Sequence, residues 1–363
     1  MRERRGRRAG RGEAAAPVAE GVDVVVTWVD GSDPAWQARC DARAGLCPAA
    51  PGRRRDGSSA RFRDMGTLRL WFRGVERFAP WARRVHLVTC GQVPAWLDLD
   101  NPRLDVVFHE RIMPRDALPT FNSNAIELCL DAIPGLTERF VYFNDDTFLV
   151  GDTRLEDYFR GALPRDMLAC QPDVANVTDP VMPYIYLNNA MLLARHFDKR
   201  ALMSRHPGWF FHAGYPARYL AYNVVERAFP QITGFYTTHG PAPLLRSTFS
   251  EVRAAEGEAV AATVGQPFRS SSDVSVYALR EWQKLSGNFA PANVTRRLGY
   301  YSLASDADLD RLASDLRAGR RTVACVNDGA CEDFPARAAR VRSLLGALLP
   351  DPCSFERDGR EDG

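Results

Sequence analysis

The sequence predicts an α/β fold, a mainly parallel Rossmann-like sheet flanked by helices, followed by a more helical C-terminal half. Three observations predict it. Short β-branched or apolar runs of strand length recur at Asp23 to Val29, Val85 to Cys90, Leu104 to Phe108 and Phe140 to Phe143, of the type that forms buried strands. Helical spacing recurs between them, so strands and helices alternate over residues 21–150. Acidic turns follow the first and last of these strands, and in such sheets ligands bind outside the carboxyl ends.

Taken in order, residues 1–20 are an Arg-rich segment with no apolar stretch behind it, read as a disordered tail. DVVVTWV is the first strand and ends in the turn-rich Asp30-Gly31-Ser32-Asp33-Pro34. Residues 41–60 mix Pro, Gly, Ser and Arg without periodicity and read as a flexible insertion. Leu68, Phe72, Val75 and Phe78 recur at helical spacing, with Asp64 available as the cap and Pro80 beyond the end. The strands at Val85 and Leu104 are separated by the loop GQVPAWLDLDNP, and a helix is expected from Ser123 to about Asp131, stopped by Pro134-Gly135. Beyond Gly151, helices are expected at Pro216 to Ala228, Pro241 to Arg253 and Ser271 to Leu285, a strand at Thr322 to Val326, and a C-terminal helix and tail over 336–363.

With 363 residues and 45% hydrophobic content the chain can build a substantial core. Lys and Arg number 47 against 45 Asp and Glu, so the whole-molecule field gives no warrant for a nucleic-acid partner. No uncharged run is long enough to span a bilayer, which predicts a cytoplasmic protein; the basic tail is its candidate for peripheral contact with the inner face of the membrane. The eight cysteines include no C-x-x-C pair, so a structural zinc site is not expected. Cys40 with Cys47 and Cys325 with Cys331 are spaced for local bridges, but free thiols are the favoured reading.

Four places carry candidate chemistry. Adjacent carboxylates in Asn144-Asp145-Asp146 repel unless a cation sits beside them, and a hard divalent ion is the usual answer, although Asn and Asp also form ordinary turns. LPTFNSNAIE (Leu118 to Glu127) puts Ser123 and Asn124 at a helix start, where free N–H groups favour an anion, with Glu127 one turn on as a metal ligand or base. His239, in the polar loop Thr237 to Pro241, is the histidine best placed for proton transfer, whereas His86 lies in a strand and reads as structural. Arg269, in PFRSSSD (Pro267 to Asp273), is a credible phosphate contact.

Together these segments resemble a known family. DVVVTWVDGSDP, RFRDMGTLR (Arg61 to Arg69), APWARRVHLVTCGQVPAWLDLDNPRL (Ala79 to Leu104), LPTFNSNAIE and FVYFNDDTFL (Phe140 to Leu149) resemble the first two conserved regions of the Stealth family. His239-Gly-Pro with FRSSSD looks like the third region and CVNDG (Cys325 to Gly329) like the fourth. The family includes bacterial capsule and exopolysaccharide phosphotransferases and the catalytic subunit of animal N-acetylglucosamine-1-phosphotransferase.

The resemblance implies a nucleotide-sugar-transferase-like catalytic domain over 21–335, with its regions near 21–34, 61–150, 237–285 and 322–329. It implies transfer of a hexose 1-phosphate from a nucleotide-diphosphate sugar donor to a glycan acceptor, with release of a nucleoside monophosphate. Its active-site residues fall on Glu127, Asp145, Asp146, His239 and Arg269. In that reading Mg²⁺ or Mn²⁺ is held by Asp145 and Asp146 with Glu127 beside them, Arg269 neutralises the phosphate, and His239 is the base. Asp30, Asp33, Ser123, Asn124, Asn144 and Asp273 are the expected substrate contacts. The rival readings are a metal-dependent glycosyltransferase releasing a nucleoside diphosphate and a non-catalytic glycan-binding protein. Residues 151–236 are expected to set acceptor choice; the hexose, the base and the oligomeric state are left open by the sequence.

Overall fold

The computed structural model describes residues 21–46, 55–56, 62–174, 179, 181–329 and 331–357. The Arg-rich tail, most of the 41–60 insertion, Cys47 and the last six residues lie outside them. The strands of the two larger sheets are β1 (Asp23–Thr27), β2 (Val85–Thr89), β3 (Leu104–Phe108), β4 (Arg139–Asn144), β5 (Thr147–Leu149), β6 (Ala242–Leu245), β7 (Leu298–Ser302) and β8 (Val323–Asn327). The helices that position the site are α1 (Pro34–Leu46), α2 (Leu68–Phe78), α3 (Ser123–Glu127), α4 (Met182–Ala194), α5 (Arg246–Val264), α6 (Val276–Leu285) and α7 (Phe334–Leu348).

The main sheet has the order β3-β2-β1-β4-β6, its first four strands parallel and β6 antiparallel at the edge. The chain runs outward from β1 to β3 and then crosses to β4 on the other side, so the strand order reverses between β1 and β4. At such a switch point the connections leave in opposite directions and open a crevice at the carboxyl ends. Both faces are covered. Val24 and Val26 enter one apolar cluster with Phe72 and Phe143, while Val25 enters a second with Tyr142 and Leu279, as the two-residue period of a strand requires. A second sheet, β7-β8-β5, is reached directly from β4 through Asp145 and Asp146, and Val326 N–H donates to the Asp146 carbonyl at 2.8 Å.

His86 is structural, as expected. Fully buried on β2, it links Asp105 (2.9 Å, through Nδ1) to Asp23 (3.2 Å, through Nε2), and Arg83 closes on the same Asp23 carboxylate. Cys90, Cys129, Cys170, Cys325, Cys331 and Cys353 are free thiols, so Cys325 and Cys331 are not bridged. No helix among the described residues is long and apolar enough to cross a membrane.

Several expected boundaries move, each for a local reason. The α2 helix starts at Leu68 rather than at Asp64, because Gly66 adopts a positive φ of 67° and Asp64 turns back to accept from its N–H. The helix expected to reach Asp131 stops at Glu127; a separate 3-10 turn follows at Leu130–Ala132, and Arg253 holds the Asp131 carboxylate. The expected helix from Pro241 to Arg253 begins instead as strand β6, four consecutive buried residues paired with β4, and the helix follows from Arg246 to Val264. Residues 271–275 form a turn before α6 rather than its first turn. Residues 41–46, expected in the flexible insertion, complete α1, a helix opened by Asp33 accepting from the Ala35 N–H and burying only Trp36.

Candidate active site

Strand β4 carries Tyr142 and Asn144 to the switch point and hands the chain to Asp145 and Asp146. The turn after β1 lies on the same rim. Gln92, in the loop after β2, accepts from the Asp30 N–H and donates to the Asp30 carbonyl and to Asp33 Oδ2, each at 2.9 Å. Gly31 is required there, since a Cβ would fall 2.0 Å from the Phe62 carbonyl oxygen. Asp64 joins the rim from the segment before α2, receiving Trp28 Nε1 at 3.3 Å. Its charge acts on Asp145, and that of Asp30 acts on it in turn, so the rim is a chain of carboxylates.

Burial, then the Asp146 and Asp64 charges, raise the Asp145 carboxyl well above the ordinary range. Asp146 stays low despite burial because His239 compensates it: Nε2 lies 3.1 Å from Asp146 Oδ2 and 3.3 Å from Asn144 Nδ2. Tyr277 meets the other ring nitrogen, its hydroxyl 3.0 Å from Nδ1. Burial alone would lower the imidazole; Asp146 outweighs it and holds the ring protonated well above its usual range. The Cys325 thiol donates toward Asp146 Oδ2 at 3.8 Å and is pushed up to about 11 by burial and that carboxylate. Ligand atoms of Asp146, His239 and Cys325 lie within 4.8 Å of one another, a grouping able to hold a divalent metal.

On the facing side the Tyr142 hydroxyl lies 3.1 Å from Glu127 Oε1 and 2.8 Å from Asn144 Oδ1, two acceptors for its one proton. Burial pushes Glu127 up to about 7 against the opposing pull of Arg269, Tyr142 and His239. Arg269 reaches Ser123 Oγ at 2.6 Å, at the start of α3. Thus Glu127, Asn144, Asp145, Asp146, His239 and Arg269, spread over 143 positions of sequence, are brought together by hydrogen bonds and mutual charge at the carboxyl end of β4.

The family regions match in order: conserved region 1 of Stealth proteins over residues 20–45 and conserved region 2 over 61–165. The capsular polysaccharide phosphotransferase WcwK of Streptococcus pneumoniae is 33% identical over 343 residues, 93% of this chain and 99% of that one. The chain belongs to the Stealth family. The exopolysaccharide phosphotransferase cps2G of Lactiplantibacillus plantarum is a similar relative, 34% identical over 93% of this chain and 96% of its own. Among solved structures the galactosyltransferase LgtC, in complex with donor and acceptor sugar analogs, aligns at a TM-score of 0.40 and 13% identity, covering 91% of this chain and 98% of that one.

Two of the expected substrate contacts in this Stealth protein, Asn124 and Asp273, are buried and bonded to each other. Asp273 is fully buried and accepts from Asn122 Nδ2 (2.9 Å), Asn124 Nδ2 (3.3 Å) and the Ser270 N–H (2.9 Å). It therefore ties the Arg269 turn to the start of α3, and Asn124 is buried with it. Sequence reasoning missed Asp64, assigned as a cap, together with Tyr142, Tyr277 and Cys325. Asp64, Tyr142 and Cys325 lie inside the segments that resemble the family, which is the signal available for them.

Behind His239 the Stealth site is braced by a buried charged cluster on α6. Arg280 pairs with Asp166 through Nε and Nη2 (2.5 and 3.0 Å) and donates to the Thr238 carbonyl and hydroxyl at 3.2 and 3.1 Å. Glu281 accepts from Thr237 Oγ1 at 3.1 Å and from Lys284 at 2.7 Å. Two consecutive residues before His239 are thereby held by side chains of one helix.

Proposed function

We propose that this Stealth protein transfers a hexose 1-phosphate, of the N-acetylglucosamine 1-phosphate type, from a nucleotide-diphosphate sugar to a glycan hydroxyl in capsule or exopolysaccharide synthesis. The observation that supports the reading is that the carboxylate rim, the imidazole, Glu127 and the guanidinium interact with one another at the switch point. The acceptor oxygen bonds to the sugar-bearing phosphorus, the bridging P–O bond breaks with its electron pair going to the nucleoside monophosphate, and the bond at the anomeric carbon is untouched.

Arg269, placed beside Glu127 and Ser123, neutralises charge on the transferred phosphate through its planar fork. His239 takes the proton of the attacking hydroxyl, with Tyr277 fixing the ring through Nδ1. A hard divalent ion such as Mg²⁺ or Mn²⁺ would be held by the carboxylates of Asp145 and Asp146, whose mutual repulsion, with the Asp64 charge added, it would relieve; the neighbouring thiol, raised to about 11, stays a neutral donor to Asp146. When bound, that ion neutralises the diphosphate and the acidic rim, which weakens the hold that keeps the imidazole protonated. Asp30 and Asp33 contact the nucleotide sugar from the β1 turn.

Incubation with a panel of nucleotide sugars, Mg²⁺ and a glycan acceptor tests the proposal. Expected products are a nucleoside monophosphate and a phosphodiester; a nucleoside diphosphate and a glycoside would show attack at the anomeric carbon instead. EDTA should abolish turnover, and D145N and D146N should not be rescued by modest excess Mg²⁺.

A further inference from the structure

Three tyrosines that play no part in holding the carboxylate rim surround the outer side of His239. Tyr186 projects from α4, is 38% exposed, and stacks on Tyr277 with ring centroids 6.3 Å apart and planes 24° from parallel. Tyr277 in turn touches His239 Nδ1. Met182, one helical turn before Tyr186 on the same face of α4, lies 3.6 Å from Arg269 Nη1, so this face looks onto the guanidinium as well as the imidazole. The charges of His239 and Arg269 both act on the Tyr186 hydroxyl.

Tyr300 approaches from the other side. It is 48% exposed on β7, directly beside Cys325 on β8, and Cys325, Asp146 and His239 all act on its hydroxyl. One aromatic pair therefore meets the Nδ1 edge of the ring and another aromatic side chain lies toward the Asp146 edge, while the His239 side chain keeps 31% of its surface open. The α4 helix is fixed in this position by Asn188, which donates to the Ser271 and Asp273 carbonyls at 3.0 and 2.9 Å, and by Asn189, bonded to Ser275.

Exposed aromatic rings beside a catalytic group offer flat apolar surface with a polar edge. A diphosphate belongs against Arg269 and the carboxylate rim with its cation. The tyrosine side suits a neutral ring with an apolar C–H face and hydroxyls at its margin, which is the description of a pyranose. We infer that Tyr186, Tyr277 and Tyr300 form the subsite for a neutral pyranose ring of the acceptor, stacked so that one hydroxyl reaches His239 Nε2; the inference rests on the transfer reaction proposed above.

The test uses the full chain with a panel of neutral methyl glycosides as acceptors. Tyr186→Ala and Tyr300→Ala should raise acceptor KM about tenfold with kcat changed less than about threefold, whereas Tyr186→Phe, which keeps the ring, should stay within about twofold of wild type. An unchanged KM in both alanine variants, or a phenylalanine variant as weak as alanine, would overturn the subsite. Saturation-transfer NMR with the same glycosides reads binding without turnover: wild type should saturate the C–H face of at least one glycoside and Tyr186→Ala should not. Absence of that signal from wild type also overturns it. A wild-type protein that binds the glycoside but releases no nucleoside monophosphate would instead refute the transfer reaction and leave the subsite standing.

Discussion

Glu127 shows how a single buried group is shaped at the expense of stability. Its carboxyl is raised to about 7, so the folded protein binds a proton that the unfolded chain releases near 4.5. For a carboxyl raised in this way, folding is undisturbed below about 4.5 and loses stability as pH climbs from there through about 7. Glu127→Gln should accordingly stabilise the fold at pH 8 in EDTA by about 1–3 kcal/mol, read as a higher Tm, with no gain at pH 4.5, while lowering activity. An equal Tm shift at both pH values would remove the buried charge as its cause. His239→Ala should cut kcat by about a hundred- to ten-thousandfold with far-UV circular dichroism unchanged, and normal turnover would exclude proton transfer at that ring. Both residues were legible as candidates because each sits in a polar segment next to an apolar element. Asp64 was not, since a single Asp before a helix has an ordinary reading as a cap.

At the scale of elements, the α6 helix acts through the loop it braces. Arg280 and Asp166 are each 2% exposed, so removing either partner strands a buried charge, a loss of about 3–5 kcal/mol. Arg280→Lys keeps the charge but cannot reproduce the fork that reaches both Asp166 oxygens and Thr238. It should lower kcat about ten- to a hundredfold through a displaced His239 while donor KM stays within about threefold. A matched rise in KM with no change in kcat would mean that the brace serves binding rather than the loop. The parallel strands were readable because buried strands are continuous apolar runs. β6 was not: Pro241-Ala-Pro-Leu-Leu satisfies a helix start locally, and only its pairing with β4 over a separation of about a hundred residues makes it a strand.

For the whole molecule, the last described residues close the fold. Phe355 packs on Phe72 of α2, and Glu356 accepts from Arg69 and Arg73, from Arg73 Nε at 2.6 Å. Burial opposes this carboxylate, yet the two guanidinium groups and the Cys353 N–H hold it at about 2. A lowered carboxyl contributes stability that is fully present above about 4.5 and is lost as pH falls toward 2. Glu356→Gln should lower Tm by several degrees at pH 7, with the difference from wild type shrinking as pH falls below 4.5. A difference independent of pH would point to packing and not to the ion pairs.

By itself the sequence determined the four parallel strands, the switch-point turns at Asp30 and Asp145, and the candidacy of Glu127, His239 and Arg269. Each of these is written in a short window whose apolar run or polar break is nearly the whole cause of its structure. Only the tertiary structure decided that Asp273 and Asn124 are buried together, that β6 is a strand, that Tyr277 bonds His239, and that Tyr300 lies beside Cys325 near that ring. Those outcomes depend on partners distant in the chain, from 38 residues between His239 and Tyr277 to 149 between Asn124 and Asp273, or on a second sheet, where pairing and burial outweigh local preference.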